Sequence, residues 1–120
     1  MKRNSTRLTR INDEIARVTA EVIRSEMHDP RIGNVVSVMR AETTSDMKYC
    51  KIWISVLGDK DKQAGTMEAL KSGTGFIRRR LAEVINLRVT PEITIIFDDS
   101  IEYGMRMRKL IDEVNSGTDS

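Results

Sequence analysis

The first half of the chain changes from a helical pattern of apolar residues to an alternating one. From Leu8 onward, apolar side chains recur at steps of three and four, which predicts a helix that ends shortly before Pro30. The runs 35–43 and 47–57 are rich in β-branched residues and predict two strands joined by a short hairpin. The second strand alternates apolar with polar residues, so one of its faces is expected to be buried and the other open.

The second half repeats this change of pattern and adds a break between two helices. A short helical run ends at residue 72, and Gly73-Thr74-Gly75 is expected to bend or stop it before a further helix that ends near Leu87. Residues 93–97 form a third alternating run, and residues 98–100 offer side-chain oxygens that could cap a last helix. The predicted order is α-β-β-α-(kink)-α-β-α.

The length decides how many domains these elements can form. A chain of 120 residues and 13.7 kDa supports one hydrophobic core, and 39% apolar with 32% charged residues is typical of a globular protein. We therefore predict a single α+β domain over 1–114, with a three-stranded sheet and helices packed on one face. Residues 115–120 are polar and small, and are expected to form a frayed tail.

Catalytic and metal-binding patterns are weak in this sequence. The single cysteine, Cys50, alternates with isoleucines and is interpreted as a core thiol, while the single histidine, His28, stands at a helix end beside Asp29. Asp98 and Asp99 are interpreted as helix-capping residues. We therefore predict no catalytic residue, metal, cofactor or small-molecule substrate. No apolar run approaches the length of a membrane span, so no membrane association and a cytoplasmic location are expected.

The net charge of +2 hides an uneven distribution of charged residues. The windows 1–12, 71–88 and 105–109 contain 12 of the 20 basic residues and one of the 18 acidic residues, which leaves eight basic and 17 acidic residues elsewhere. If the windows meet in space, they form a surface suited to phosphate groups. Arg17 and Arg24 lie close to glutamates on the first helix and are interpreted as part of an ordinary solvated face. The four basic residues that have no acidic neighbour before Asp13 are expected to contact phosphate: Lys2, Arg3, Arg7 and Arg10.

Tyr49 and Trp53 share the open face of the second strand with Lys51. Two interpretations of this aromatic pair stay open. The pair could stack on RNA bases, as in RNA-binding proteins that use a sheet surface. Alternatively, it packs under the C-terminal helix or is partly exposed.

Five short motifs carry a resemblance to a known family. They are DPRIG at 29–33, SDM at 45–47, GTGFIR at 73–78, LRVTPEI at 87–93 and GMRM at 104–107. With the predicted element order, they resemble a type II K-homology (KH) domain that lacks the G-x-x-G loop, as in the ribosome-binding factor A family of bacterial small-subunit assembly factors. Gly73 stands where that family usually has alanine in its interhelical kink.

The resemblance implies a non-enzymatic, monomeric RNA-binding factor that acts on the 30S subunit and its 16S rRNA during late assembly and rRNA processing, with a role in cold adaptation. The alternative hypothesis is a protein-interaction domain that uses the Tyr49 and Trp53 face or the C-terminal helix. The predicted RNA-binding residues are Lys2, Arg3, Arg7, Arg10, Lys71, Gly73, Thr74, Gly75, Arg78, Arg79, Arg80, Arg88, Arg106 and Arg108.

Overall fold

The computed structural model describes residues 2–33 and 35–118, with side chains over 6–33 and 35–116, and has the predicted order of elements. The elements are α1 (Lys2–Ser25), β1 (Val36–Thr43), β2 (Tyr49–Val56), α2 (Lys60–Ser72), α3 (Thr74–Val84), β3 (Glu92–Phe97) and α4 (Ser100–Thr118). The α+β class and the three-stranded sheet are therefore confirmed.

The sheet has β2 at its centre. β1 pairs with β2 in the antiparallel sense, and β3 pairs with β2 in the parallel sense, reached through the α2–α3 crossover. The β1–β2 register shifts between Val38 and Arg40, so Arg40 lies opposite Trp53 on the open face of the sheet.

The core lies between one face of the sheet and helices α1, α2 and α3. Its fully buried side chains come from all four of these parts and include Ile15, Ile52, Ile54, Leu70, Ile77 and Leu81. Cys50 belongs to this core, as predicted, and burial raises the pKa of its thiol, which disfavours the reactive thiolate.

The kink between the middle helices is formed by one residue. The N–H of Gly73 donates to the carbonyls of Ala69 and Leu70 at 3.0 and 3.1 Å, which ends α2. The carbonyl of Gly73 accepts from the N–H of Ile77 at 3.0 Å, which begins α3. Thr74 and Gly75 are therefore part of α3, and the chain changes direction at Gly73 alone.

Helix α4 is the exception to the packing of helices on the sheet. Every side chain described in it is exposed except that of Glu102, which accepts a hydrogen bond from the buried Gln63 amide. The helix is described as far as Thr118, and the frayed tail expected over 115–120 stays a prediction.

Candidate nucleic-acid interface

The start of α1, the β1–β2 turn and the loop after α3 enclose a cavity of about 850 Å³, here called the N-terminal cavity. Three of the predicted RNA-binding residues line it: Arg7 and Arg10 from the first turns of α1, and Arg88 from the loop between α3 and β3. The fold thus brings together cations that are about 80 positions apart in the sequence.

The two acidic residues that line the N-terminal cavity have partners of their own. Glu14 accepts a hydrogen bond from Arg17 at 2.9 Å, although Arg10 stands one helical turn away from it. Asp46 accepts from the Thr44 hydroxyl at 2.6 Å and the Lys48 N–H at 3.0 Å, and these bonds lower the pKa of its carboxyl. Among the described residues, no carboxylate pairs with any of the three arginines, so their charge is available to an anion.

The walls between the arginines are apolar. Leu8 and Ile11 contribute from α1, Met47 from the hairpin turn, and Leu87 and Val89 from the loop after α3. Such a surface can accept an apolar group beside an anion. Nothing in the sequence pattern marks these wall residues as part of a site.

Met47 reaches the cavity because the hairpin turn holds it in an uncommon backbone conformation. Its φ is 65°, and its N–H donates to the carbonyl of Thr44 at 2.9 Å. The Thr44 hydroxyl accepts from the N–H of Tyr49 at 3.1 Å, which closes the turn. A positive φ at methionine has no marker in the sequence, so this position could not be predicted.

The three consecutive arginines of α3 have separate roles in the fold. Arg78 donates to the carbonyls of Thr90 and Pro91 at 2.9 and 3.2 Å. Arg80 pairs with Glu26 at 2.7 Å, and the hydrogen bond to that carboxylate raises the pKa of the guanidinium. Two of the three guanidinium groups therefore hold neighbouring parts of the chain, and their RNA-binding role stays a prediction.

Arg80 also pairs with Glu83 at 3.0 Å, whereas Arg79 lies over the ring of Phe76 at 5.7 Å and makes no ion pair with a described residue. Of this run, Arg79 has the guanidinium that can most readily contact an external phosphate.

The remaining predicted residues lie elsewhere. Lys71 is in the last turn of α2, Gly73 links the two helices, and Thr74 and Gly75 begin α3. The start of α3 is about 16 Å along the helix axis from its end, after which the loop with Arg88 follows. Arg106 and Arg108 are on the exposed α4. The side chains of Lys2 and Arg3 lie outside the described residues. The basic windows therefore do not form one cluster around the kink. Three of their arginines, Arg7, Arg10 and Arg88, line the N-terminal cavity.

The open face of the sheet carries the aromatic pair. Trp53 is half-buried beneath the guanidinium of Arg40, which lies 4.0 Å from the ring centroid, and Tyr49 is 55% exposed. Helix α4 does not cover this face, so the aromatic pair is partly exposed. Partial exposure is one of the two environments that the sequence led us to expect for a pair that does not bind RNA bases.

The described residues give no sign of a metal site or a membrane span. In residues 2–33 and 35–118, no three His, Cys, Asp or Glu side chains are grouped as a metal site would require. None of the helices described combines the length and the apolar character needed to span a bilayer.

Comparison with known proteins gives one consistent family. The sequence model of ribosome-binding factor A matches residues 7–111. Ribosome-binding factor A of Lachnospira eligens is 54% identical over 114 residues, which cover 95% of this chain and 88% of that protein.

Solved structures agree on the fold. The crystal structure of ribosome-binding factor A from Thermus thermophilus matches with a TM-score of 0.66 at 18% identity, covering 75% of this chain and 93% of that one. A homology model of the Thermus thermophilus protein, fitted into a cryo-EM map of a 30S complex, matches with a TM-score of 0.61 at 18% identity, covering 73% and 91%.

Proposed function

This chain belongs to the ribosome-binding factor A family, and from that membership we propose that it binds the 30S ribosomal subunit through 16S rRNA. The observation that carries the proposal is the group of Arg7, Arg10 and Arg88, whose charges are not neutralised by a described carboxylate. Guanidinium groups bind phosphate with two parallel hydrogen bonds, which suits them to an RNA backbone.

The finer parts of the proposal concern the cellular role. We propose a non-enzymatic, monomeric, cytoplasmic factor that acts during late maturation and rRNA processing and is needed most at low temperature. The family resemblance supports these features. A factor of this kind acts by binding energy alone, because it stabilises one arrangement of the RNA over its competitors.

The test compares two double charge reversals, one in the N-terminal cavity and one away from it. The Arg7→Glu and Arg10→Glu double variant changes the N-terminal cavity, and Arg24→Glu with Lys60→Glu makes the same change of charge at exposed positions that do not line it. We expect the first variant to bind 30S subunits at least about tenfold more weakly in co-sedimentation, and its salt slope to fall by about 2, because each arginine would no longer neutralise a phosphate. The second variant should keep most of its affinity for 30S subunits and most of its salt slope.

Two results would contradict the proposal. Equal losses in both variants would indicate unspecific attraction to RNA. Undiminished 30S binding by the cavity variant would show that the N-terminal cavity is not part of the interface. The thermal midpoint of each variant is measured alongside, since Arg24 forms an ion pair with Glu21 that reversal would break.

A second candidate function, docking of a protein partner, is favoured by the apolar side chains exposed on α4. Tyr103, Leu110 and Ile111 are each more than half exposed. The same salt titration separates the two functions, because binding through apolar contacts would persist as salt rises.

A further inference from the structure

We propose that the N-terminal cavity binds one unstacked nucleotide of single-stranded RNA. This inference rests on the proposed RNA-binding function and specifies the form of RNA that the site takes. The cavity is distinct from the interhelical kink at Gly73, because α3 separates the two by about 16 Å.

The shape of the site argues for an occupant that enters it. A volume of about 850 Å³ lies in the range of ligand pockets, roughly 300–1,000 Å³, whereas a phosphate backbone alone requires only an exposed basic surface. Leu8 and Val89 line the cavity yet are not part of the packed core, and Val89 is 47% exposed. Their apolar surface is therefore available to an occupant.

The chemistry of the site matches a nucleotide in two respects. Arg7, Arg10 and Arg88 can pair with phosphates, and their planar groups can also stack on a base. The only large apolar surfaces of RNA are the faces of its bases, which become accessible when a base leaves the stack. A duplex would engage the arginines and leave the apolar walls unused, so the combination favours a single strand.

Polar groups at the edge of the cavity could contact the base edge. Asn86 lines the site and is exposed, and its amide has both donor and acceptor atoms, as the edges of the bases do. Ser45 adds a hydroxyl from the opposite side, in the hairpin turn. These two groups provide hydrogen bonds in addition to stacking.

The decisive experiment removes the bases and keeps the phosphates. The intact protein is titrated by fluorescence anisotropy with a short labelled oligouridylate or oligoadenylate, and with an oligomer of the same length built from tetrahydrofuran abasic units. We expect the base-bearing strands to bind about tenfold more tightly than the abasic one, as stacking of a base on a protein platform predicts. Equal affinity would overturn the inference while leaving the proposed function intact.

Protein variants localise the effect. Leu8→Ser with Val89→Ser should remove the preference for base-bearing strands and keep the affinity for the abasic oligomer, because the charges are unchanged. The matched control, Leu57→Ser with Val84→Ser, alters two exposed apolar residues that lie outside the cavity, and should keep the preference. Loss of the preference in both variants, or in neither, would contradict the assignment.

Two further arms distinguish the source of the ligand. Uridine or adenosine monophosphate is added as competitor, and displacement of the oligomer at equal concentration would reassign the cavity to a free nucleotide. If no oligomer binds but the protein still co-sediments with 30S subunits, the cavity is not a nucleotide site and the proposed function still stands. Failure of co-sedimentation as well would reject both.

Discussion

Gly73 connects α2 to α3 with a backbone conformation that is open to other residues. Its φ of −93° and ψ of 8° do not require glycine. A methyl group at this position would instead stand 2.4 Å from Cε of Met27, the end of a flexible side chain. The cost of alanine here is therefore decided by whether Met27 can move.

The proximity of Met27 predicts that the effect of alanine at 73 depends on the residue at 27. Gly73→Ala should change the free energy of unfolding by less than about 1 kcal/mol in the natural sequence, because the loss of backbone entropy in the unfolded chain offsets the displacement of Met27. In a Met27→Ala background the same substitution should stabilise by roughly 0.5–1 kcal/mol. Denaturant unfolding of the four proteins measures this coupling. Destabilisation in both backgrounds would mean that glycine is needed for another reason.

Elements differ in how much of their environment the sequence reveals. The periods of apolar residues predicted the six packed elements, since each of these must bury one face, and they also predicted α4, whose apolar residues are exposed. The ends were less predictable: Asp59 caps α2 by accepting from the N–H of Lys62 at 2.8 Å, so this helix begins at Lys60, within polar residues. Three of the residues predicted to bind RNA line the cavity, and their RNA-binding role stays a prediction. The apolar walls were not predicted, because Met47 and Val89 reach the cavity from a turn and a loop.

Helix α4 shows the limit of the apolar pattern as a guide to packing. Its apolar residues have helical spacing, yet Leu110 and Ile111 are 53% and 54% exposed, so they do not contribute to the core. We expect that ending the chain after Gly104 leaves the thermal midpoint of the remaining domain within a few degrees of the full chain. Hydrogen exchange should also be faster in α4 than in α1 or β2. A large drop in the midpoint on truncation would show that α4 packs on the domain in solution.

At the scale of the whole molecule, three aspartates tie turns at different places in the fold. Asp29 accepts from Arg31 before β1, Asp46 accepts within the hairpin, and Asp98 accepts from the N–H of Ser100 at 2.8 Å where α4 begins. Hydrogen bonds lower the pKa of all three carboxyls, and that of Asp29 falls from 3.8 to about 2. Folding therefore favours the ionised form of each of these three carboxyls.

The sign of the resulting pH dependence follows from linkage. A carboxyl whose pKa is lower in the folded protein contributes stability that is complete above the unfolded value and is lost as the pH falls through the folded value, here from about 4 to about 2 for Asp29. The thermal midpoint should fall across this window. Replacing Asp29, Asp46 and Asp98 by Asn should lower the midpoint at neutral pH and flatten its fall in acid, whereas Asp112→Asn on the exposed α4 should leave the profile unchanged. An acid fall of equal steepness in the triple variant would place the pH-sensitive carboxylates elsewhere in the fold.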